Sequence, residues 1–145
     1  MATIKLSVVS PDRVVYENDI AMLIVRSTGG ELGILPRHAP LVTGLMPHAM
    51  RIKLPGEAQE LLLAVAGGFM EVTPEKIAVL ASAAETPEEI DVLRAQRSMA
   101  RAKERIASFH KGAPNESADI DGERARLSLL RAVARLKATG NDVDA

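Results

Sequence analysis

The hydrophobic repeat of this chain changes once, near Thr86, and that change limits the fold more than any other feature. Before it, apolar residues recur at every second position in short runs, as half-buried strands require. "TIKLSVV" puts Ile4, Leu6 and Val8 on one face. Pro11-Asp12 turns the chain, Val14 to Glu17 makes a short partner, and "IAMLIVRS" runs up to the turn at Gly29-Gly30. Met50 to Leu54 ends at Pro55-Gly56, and "ELLLAVAGGFMEV" and "KIAVLA" are joined through Thr73-Pro74-Glu75. Seven of the eight prolines fall at or before Pro87, and the eighth, Pro114, lies in the loop between the helices. Short strands separated by turn residues predict a sandwich or flattened barrel.

After Thr86 the period is helical. Thr86-Pro87-Glu88-Glu89 superposes three helix-start signals: a capping hydroxyl, proline at the first helical position, and a glutamate able to complete a capping box. Val92, Met99 and Ile106 recur every seven residues, with Ala95, Ala102 and Phe109 three residues after each. That is one narrow apolar seam whose alanines admit a second helix at close range. "HKGAPNESAD" breaks the pattern and reads as the hairpin loop, with a second helix from about Asp119–Asp121 to near Gly140. On it Leu127, Leu130 and Ala134 share one face, and Leu129, Val133 and Leu136 another. One face meets helix one; the other is left for a different domain or subunit. The chain therefore divides into a β-domain at 1–85 and a helical hairpin at 86–145, the latter mobile unless docked.

Composition excludes several kinds of function. The aromatics are Tyr16, Phe69 and Phe109 alone, and the net charge is −1, so neither base stacking nor a basic field for nucleic acid is available. The absence of cysteine removes disulfides, thiolate nucleophiles and zinc–cysteine sites, and fits a reducing, cytoplasmic setting. No apolar run approaches the ~20 residues that span a bilayer, and the N-terminus lacks a secretion-signal layout. His38, His48 and His110 have no metal-ligand spacing, and no nucleophile elbow or triad is present, so no catalytic and no metal site is expected. "GGELG" lacks the Lys-Ser/Thr of a phosphate loop and reads as a turn.

The charges of the helices are more informative. At 100° per residue, Asp91, Arg94, Ser98, Arg101 and Arg105 form a stripe beside the seam. Taken alone, the stripe reads as a solvated face, Asp91 pairing with Arg94 and Arg101 with Glu104 for a few tenths of a kcal/mol. On helix two, Arg131 and Arg135 stand four residues apart with no acidic residue three or four positions from either, and Arg124 precedes them on the same side. A counter-charge from elsewhere is needed. A polyphosphate meets that need through paired guanidinium hydrogen bonds, with Arg94 and Arg101 joining when the hairpin closes; an acidic protein surface meets it equally.

Four blocks in order, "VVSPDRVVYE", "GGELGILPRHAPLV", "GGFMEV" and "IDVLRA", resemble the epsilon subunits of bacterial-type rotary ATP synthases over about Thr3 to Leu136. The resemblance implies an α+β fold: an N-terminal ten-stranded β-sandwich followed by a C-terminal antiparallel two-helix hairpin. It implies a non-catalytic subunit of the central rotor stalk, peripheral on the cytoplasmic face of the bacterial inner membrane and not inserted in it. Its partners would be the gamma subunit, the c-ring and, with the hairpin extended, the alpha/beta catalytic head. It would help couple proton flow to ATP synthesis, and the mobile hairpin would restrain ATP hydrolysis. Some members bind ATP, as a regulatory ligand rather than a cofactor, through Ile/Leu-Asp-x-x-Arg-Ala on the folded-back hairpin. That motif falls here on Ile90, Asp91, Arg94 and Ala95, and the family's further contacts on Glu85, Arg101, Arg131 and Arg135. Glu31, Gly33 and His38, from the "ELGILPRHAPL" block, map to the interface with the c-ring and gamma. Two departures stand out: Arg37 where the family commonly has glycine, and a hairpin loop at Lys111–Asp119 longer than in the ATP-binding relatives.

Overall fold

The computed structural model describes residues 2–109 and 116–141. Ten strands come first: β1 Ile4–Ser10, β2 Arg13–Ile20, β3 Met22–Ser27, β4 Gly30–Ile34, β5 Leu41–Leu45, β6 His48–Lys53, β7 Glu60–Val65, β8 Gly68–Val72, β9 Lys76–Ala81 and β10 Ala84–Glu85. They pair in the order β10-β7-β6-β3-β5-β8-β9-β1-β2, with β4 on the other side of β3. All pairings are antiparallel except β1 with β9. β3 and β5 meet at one residue pair only, Ser27 with Leu45, and there the sheet bends from one layer into the other. Every strand contributes to a single core cluster, from Ile4, Leu6 and Val8 on β1 to Ala84 on β10, so the two halves face each other as a sandwich.

The two-residue alternation predicts the inward set of β1: Ile4, Leu6 and Val8 are essentially inaccessible. Each fully buried aliphatic side chain of this kind stabilises the fold by about 1.5–3 kcal/mol. The structure extends β2 well beyond Val14–Glu17 and splits "ELLLAVAGGFMEV" into two strands. The split occurs at Gly67-Gly68, where φ is +113° and +142°. A Cβ on Gly68 would lie 2.1 Å from the Leu80 carbonyl oxygen, so only glycine allows β8 to enter beside β9.

The helical part departs from expectation at its start. The Thr86-Pro87-Glu88-Glu89 signal closes only a short 3₁₀ turn, Pro87–Glu89, in which the Thr86 N–H donates to Glu89 Oε2 at 3.3 Å. Ile90 is then extended (φ −85°, ψ 124°), and α1 runs Val92–Phe109. At this break Ile90 is buried in a small cluster with Ala64 and Ala138, a tertiary contact that local helix-start signals do not register. Asp91 becomes the cap of α1, its Oδ1 accepting the Arg94 N–H at 3.0 Å.

α2 runs Glu116–Ala138, so it begins before Asp119 and takes in Glu116 to Asp119, which composition assigned to the loop. The expected loop otherwise lies outside the described residues. α2 ends as expected: Gly140 is left-handed (φ +83°), Asn141 N–H donates to Leu136 O and Gly140 N–H to Lys137 O, the paired bonds of a Schellman cap.

The seam alanines Ala95 and Ala102 are each 2 % exposed, and α1 packs along α2. The other side of α2 lies on β6 and β7, so the hairpin is folded against the sandwich. Leu130, Val133, Ala134 and Lys137 line the cleft over the sheet. Val133 thus joins Leu130 and Ala134 rather than Leu129 and Leu136, because three- and four-residue steps keep 130, 133, 134 and 137 on one stripe.

Candidate ligand cleft at the hairpin neck

Where β10 leads into the hairpin, the chain encloses a cleft of about 320 Å³ lined by Glu85, Glu89, Asp91, Arg94, Ala95, Ser98 and Arg135. Its floor is set by Ala95, whose small side chain is buried where α1 meets α2. Arg94 is exposed and reaches in from the first turn of α1. Arg135 arrives from α2, and its Nε donates to Glu85 Oε1 at 2.7 Å. The missing counter-charge for Arg135 is therefore supplied by the chain itself, from a strand fifty positions earlier that helical spacing could not reveal.

Of the eight residues nominated for a nucleotide, five line this cleft: Glu85, Asp91, Arg94, Ala95 and Arg135. Ile90 lies beneath it as an apolar anchor, 8 % exposed. Arg131 borders an adjoining narrow crevice with Glu85, Ala134 and Arg135, its side chain exposed. Arg101 stays outside, donating to Ser98 Oγ at 3.4 Å, a long bond to a cleft residue. Neither of the expected surface pairs, Asp91 with Arg94 or Arg101 with Glu104, forms an ion pair among the described residues; Arg124 pairs with Asp121 at 3.9 Å.

Glu89, which its sequence position marks only as a helix cap, forms a wall of the cleft. Arg13, at the start of β2, binds it through two bonds, Nη1 to Oε1 at 2.8 Å and Nη2 to Oε2 at 2.6 Å, and Nη2 also reaches Ala84 O at 3.4 Å. This guanidinium holds the Glu89 carboxyl below the usual carboxylate range, chiefly by direct hydrogen bonding. The contact spans 76 positions and leaves no local sequence signal. With Glu89 neutralised by Arg13 and Glu85 by Arg135, the remaining groups of the cleft are Asp91 and Arg94, together with the hydroxyl of Ser98. Asp91 also satisfies a backbone donor of α1, so ligand binding and helix capping draw on the same carboxylate.

The second nominated region is dispersed. Glu31 lies on β4 opposite Arg26 of β3 and borders the cleft beneath α2. Gly33 is two residues further on, where a Cβ would meet only the flexible end of Met22. His38 closes the turn from Leu35, its N–H donating to Leu35 O at 3.2 Å and its Nδ1–H to Ala39 O at 2.7 Å. In that turn Arg37 has φ +65°, the one non-glycine residue in the left-handed region among the described residues, following Pro36 in the type II pattern. The departure from glycine thus falls where glycine is favoured. No group of three or more His, Cys, Asp or Glu side chains able to hold a metal ion occurs among the described residues, and no described helix is long and apolar enough to cross a membrane.

Comparison with known proteins agrees with this architecture. Residues 3–87 match the β-sandwich domain of the ATP synthase delta/epsilon chain, and residues 88–140 match its long α-helix domain. The ATP synthase epsilon chain of Bacillus velezensis is 45 % identical over 141 residues, covering 97 % of this chain and all of that one. The epsilon chain of Alkalihalophilus pseudofirmus is 46 % identical over 140 residues, covering 97 % and 99 %. A chain in the Euglena gracilis mitochondrial ATP synthase (OSCP/F1/c-ring) shares the fold with a TM-score of 0.73 at 24 % identity, covering 97 % of this chain and 83 % of that one. A chain of the Tetrahymena thermophila central stalk and c-ring shares it with a TM-score of 0.60 at 15 % identity, covering 94 % and 96 %. Strand order, helical hairpin and near-complete alignment converge: the chain belongs to the epsilon-subunit family of the ATP synthases, as a non-catalytic subunit.

Proposed function

We propose that the protein sits in the rotor stalk of a proton-translocating ATP synthase, on the cytoplasmic face of the inner membrane. There it joins gamma to the c-ring, and its hairpin leaves the sandwich to restrain ATP hydrolysis at the catalytic head. In this reading ATP binds only the folded hairpin and so depletes the extended, inhibitory form. The observation that carries it is the cleft at the hairpin neck. Glu85 comes from the sandwich, Asp91, Arg94 and Ala95 from the start of α1, and Arg135 from α2, so the set exists only while both helices are docked.

The outer face of the sandwich supports a stalk partner. Phe69, Leu80, Val9 and Val14 stand in one cross-strand row over β8, β9, β1 and β2, and Phe69, Leu80 and Val14 are each more than half exposed. A contiguous apolar row of this kind is suited to burial against another subunit. Glu31, Gly33 and His38 are the proposed contacts with the c-ring and gamma.

Titrating the full chain with ATP by calorimetry tests the sensing claim. Binding is expected, and Arg94→Ala should weaken it at least tenfold, the cost of about 1.4 kcal/mol of lost charge-assisted bonding. No heat at millimolar ATP would remove the sensing claim and leave the rotor assignment standing. A second reading rests on Arg101 and Arg131, which lie outside the cleft with exposed side chains. These would dock the extended hairpin on an acidic surface of the catalytic head without ATP. Arg131→Ala that relieves inhibition while leaving ATP affinity unchanged would favour it.

A further inference from the structure

Beneath α2, away from the nucleotide cleft, lies a second cleft of about 270 Å³ between the helix and the β3, β4 and β6 region of the sheet. His48, the first residue of β6, forms part of its wall. Its Nδ1 lies 2.6 Å from Met46 O, so Nδ1 carries the proton and donates. Nε2 is then the bare acceptor, and it is buried without a hydrogen-bond partner.

The charged groups around it are mostly of one sign. Arg26 faces the cleft from β3, Arg51 from β6 and Lys137 from α2, against the single carboxylate Glu31 from β4. Arg51 is itself committed to Glu60 through bonds of 2.7 and 2.8 Å. Opposite His48, α2 presents Leu130, Val133 and Ala134, which offer nothing to solvate an imidazolium. The neighbouring Ala49 packs in the cluster that holds the end of α2 down.

We infer that His48 is a proton-operated release for the hairpin: protonation of its buried Nε2 disfavours the docked α2, and neutral His48 permits docking. This rests on the mobile hairpin of the proposed function and adds a regulator distinct from the nucleotide. Physically, a second proton on the ring needs an acceptor or water at Nε2, and the apolar residues that the docked helix brings to the cleft supply neither. Undocking opens the site to water.

The direction of the linkage follows. Burial, with a smaller contribution from Arg26, pushes His48 below its ordinary 6.5 in the docked form. Once exposed to water the ring returns towards 6.5. The undocked form therefore binds the extra proton first. Docking is at full strength above about pH 6.5 and weakens as pH falls below it, by at most tenfold per pH unit, until the docked form also protonates.

The test uses the full chain and has two arms. Nuclear magnetic resonance titration of the His48 ring should give a midpoint below 6.5; a midpoint at or above 6.5 overturns the inference. For the second arm, the chain has no cysteine, so Glu57→Cys and Gln96→Cys, at two exposed positions, accept a donor–acceptor dye pair reporting hairpin position. Between pH 7.5 and 5.5 the docked-to-released ratio should fall by up to about tenfold, and His48→Gln should flatten that dependence. The same pH dependence in His48→Gln overturns the proton release alone. A dye signal unchanged at every pH, with and without ATP, overturns the mobile hairpin and this inference with it.

Discussion

Replacing Glu85 by Gln removes the one ion pair that joins a hairpin helix to the sheet among the described residues. The two side chains are 35 % and 29 % exposed, with 2.7 Å between Arg135 Nε and Glu85 Oε1. Unit charges about 4 Å apart attract by about 4 kcal/mol at an effective dielectric near 20. At this exposure, water and salt screen much of that, and lost hydration and side-chain freedom offset more. About 1 kcal/mol remains for a partly buried, charge-assisted bond, which is about fivefold in the docking equilibrium. Hydrogen exchange of α2 amides in nucleotide-free protein reads that equilibrium. Glu85→Gln and Arg135→Gln should each lower protection of α2 about fivefold, and the double variant little more than either, giving a coupling near 1 kcal/mol. High salt should erode the coupling, since the pair is not fully buried. Simply additive losses would refute the reasoning, because the pair would then contribute nothing to holding α2 down.

Two further predictions concern the sandwich. Arg37→Gly relieves the left-handed φ of +65°; it should stabilise by about 1 kcal/mol and raise the melting temperature by about 2–4 °C in a thermal scan. An unchanged or lowered midpoint would mean that the Arg37 side chain contributes more than its backbone strain costs. Leu80→Glu, at the exposed centre of the outer apolar row, should leave stability within about 0.5 kcal/mol while abolishing co-purification with gamma. Intact assembly would remove that face from the stalk interface.

Much of the sandwich was legible because its signal is local. Alternation fixes the inward residues of β1, whereas the split of "ELLLAVAGGFMEV" at Gly67-Gly68 becomes visible only when β8 is seen entering beside β9. β4, β5 and β10 carry weak patterns of their own: Leu41–Leu45 holds a glycine and a threonine, and β10 has two residues. These strands exist because neighbours pair with them, and they were expected only through the family resemblance. The hairpin showed the same division. Seam alanines and the Gly140 cap follow from helical geometry, whereas the displaced start of α1 depends on Ile90 finding Ala64 and Ala138. At the cleft, Asp91, Arg94 and Ala95 are contiguous and readable. The Glu85–Arg135 and Arg13–Glu89 pairs span 50 and 76 positions, and only the folded chain brings them together.

The Arg13–Glu89 pair has a mechanical consequence. It fastens the 3₁₀ turn to the corner of the sandwich, and Ala84 O is held by the same guanidinium. The pair is exposed and its hold is modest, but it favours a hairpin that leaves the sheet by swinging from this turn over one that peels the neck off the β-domain. The bearing is the extended residue Ile90 with the Asp91 cap, and the arm is α1, 18 residues or about 27 Å long. The turn sets the reach of the swinging end, so lengthening or softening the neck by even a residue would change where that end arrives, with no alteration to the helices themselves.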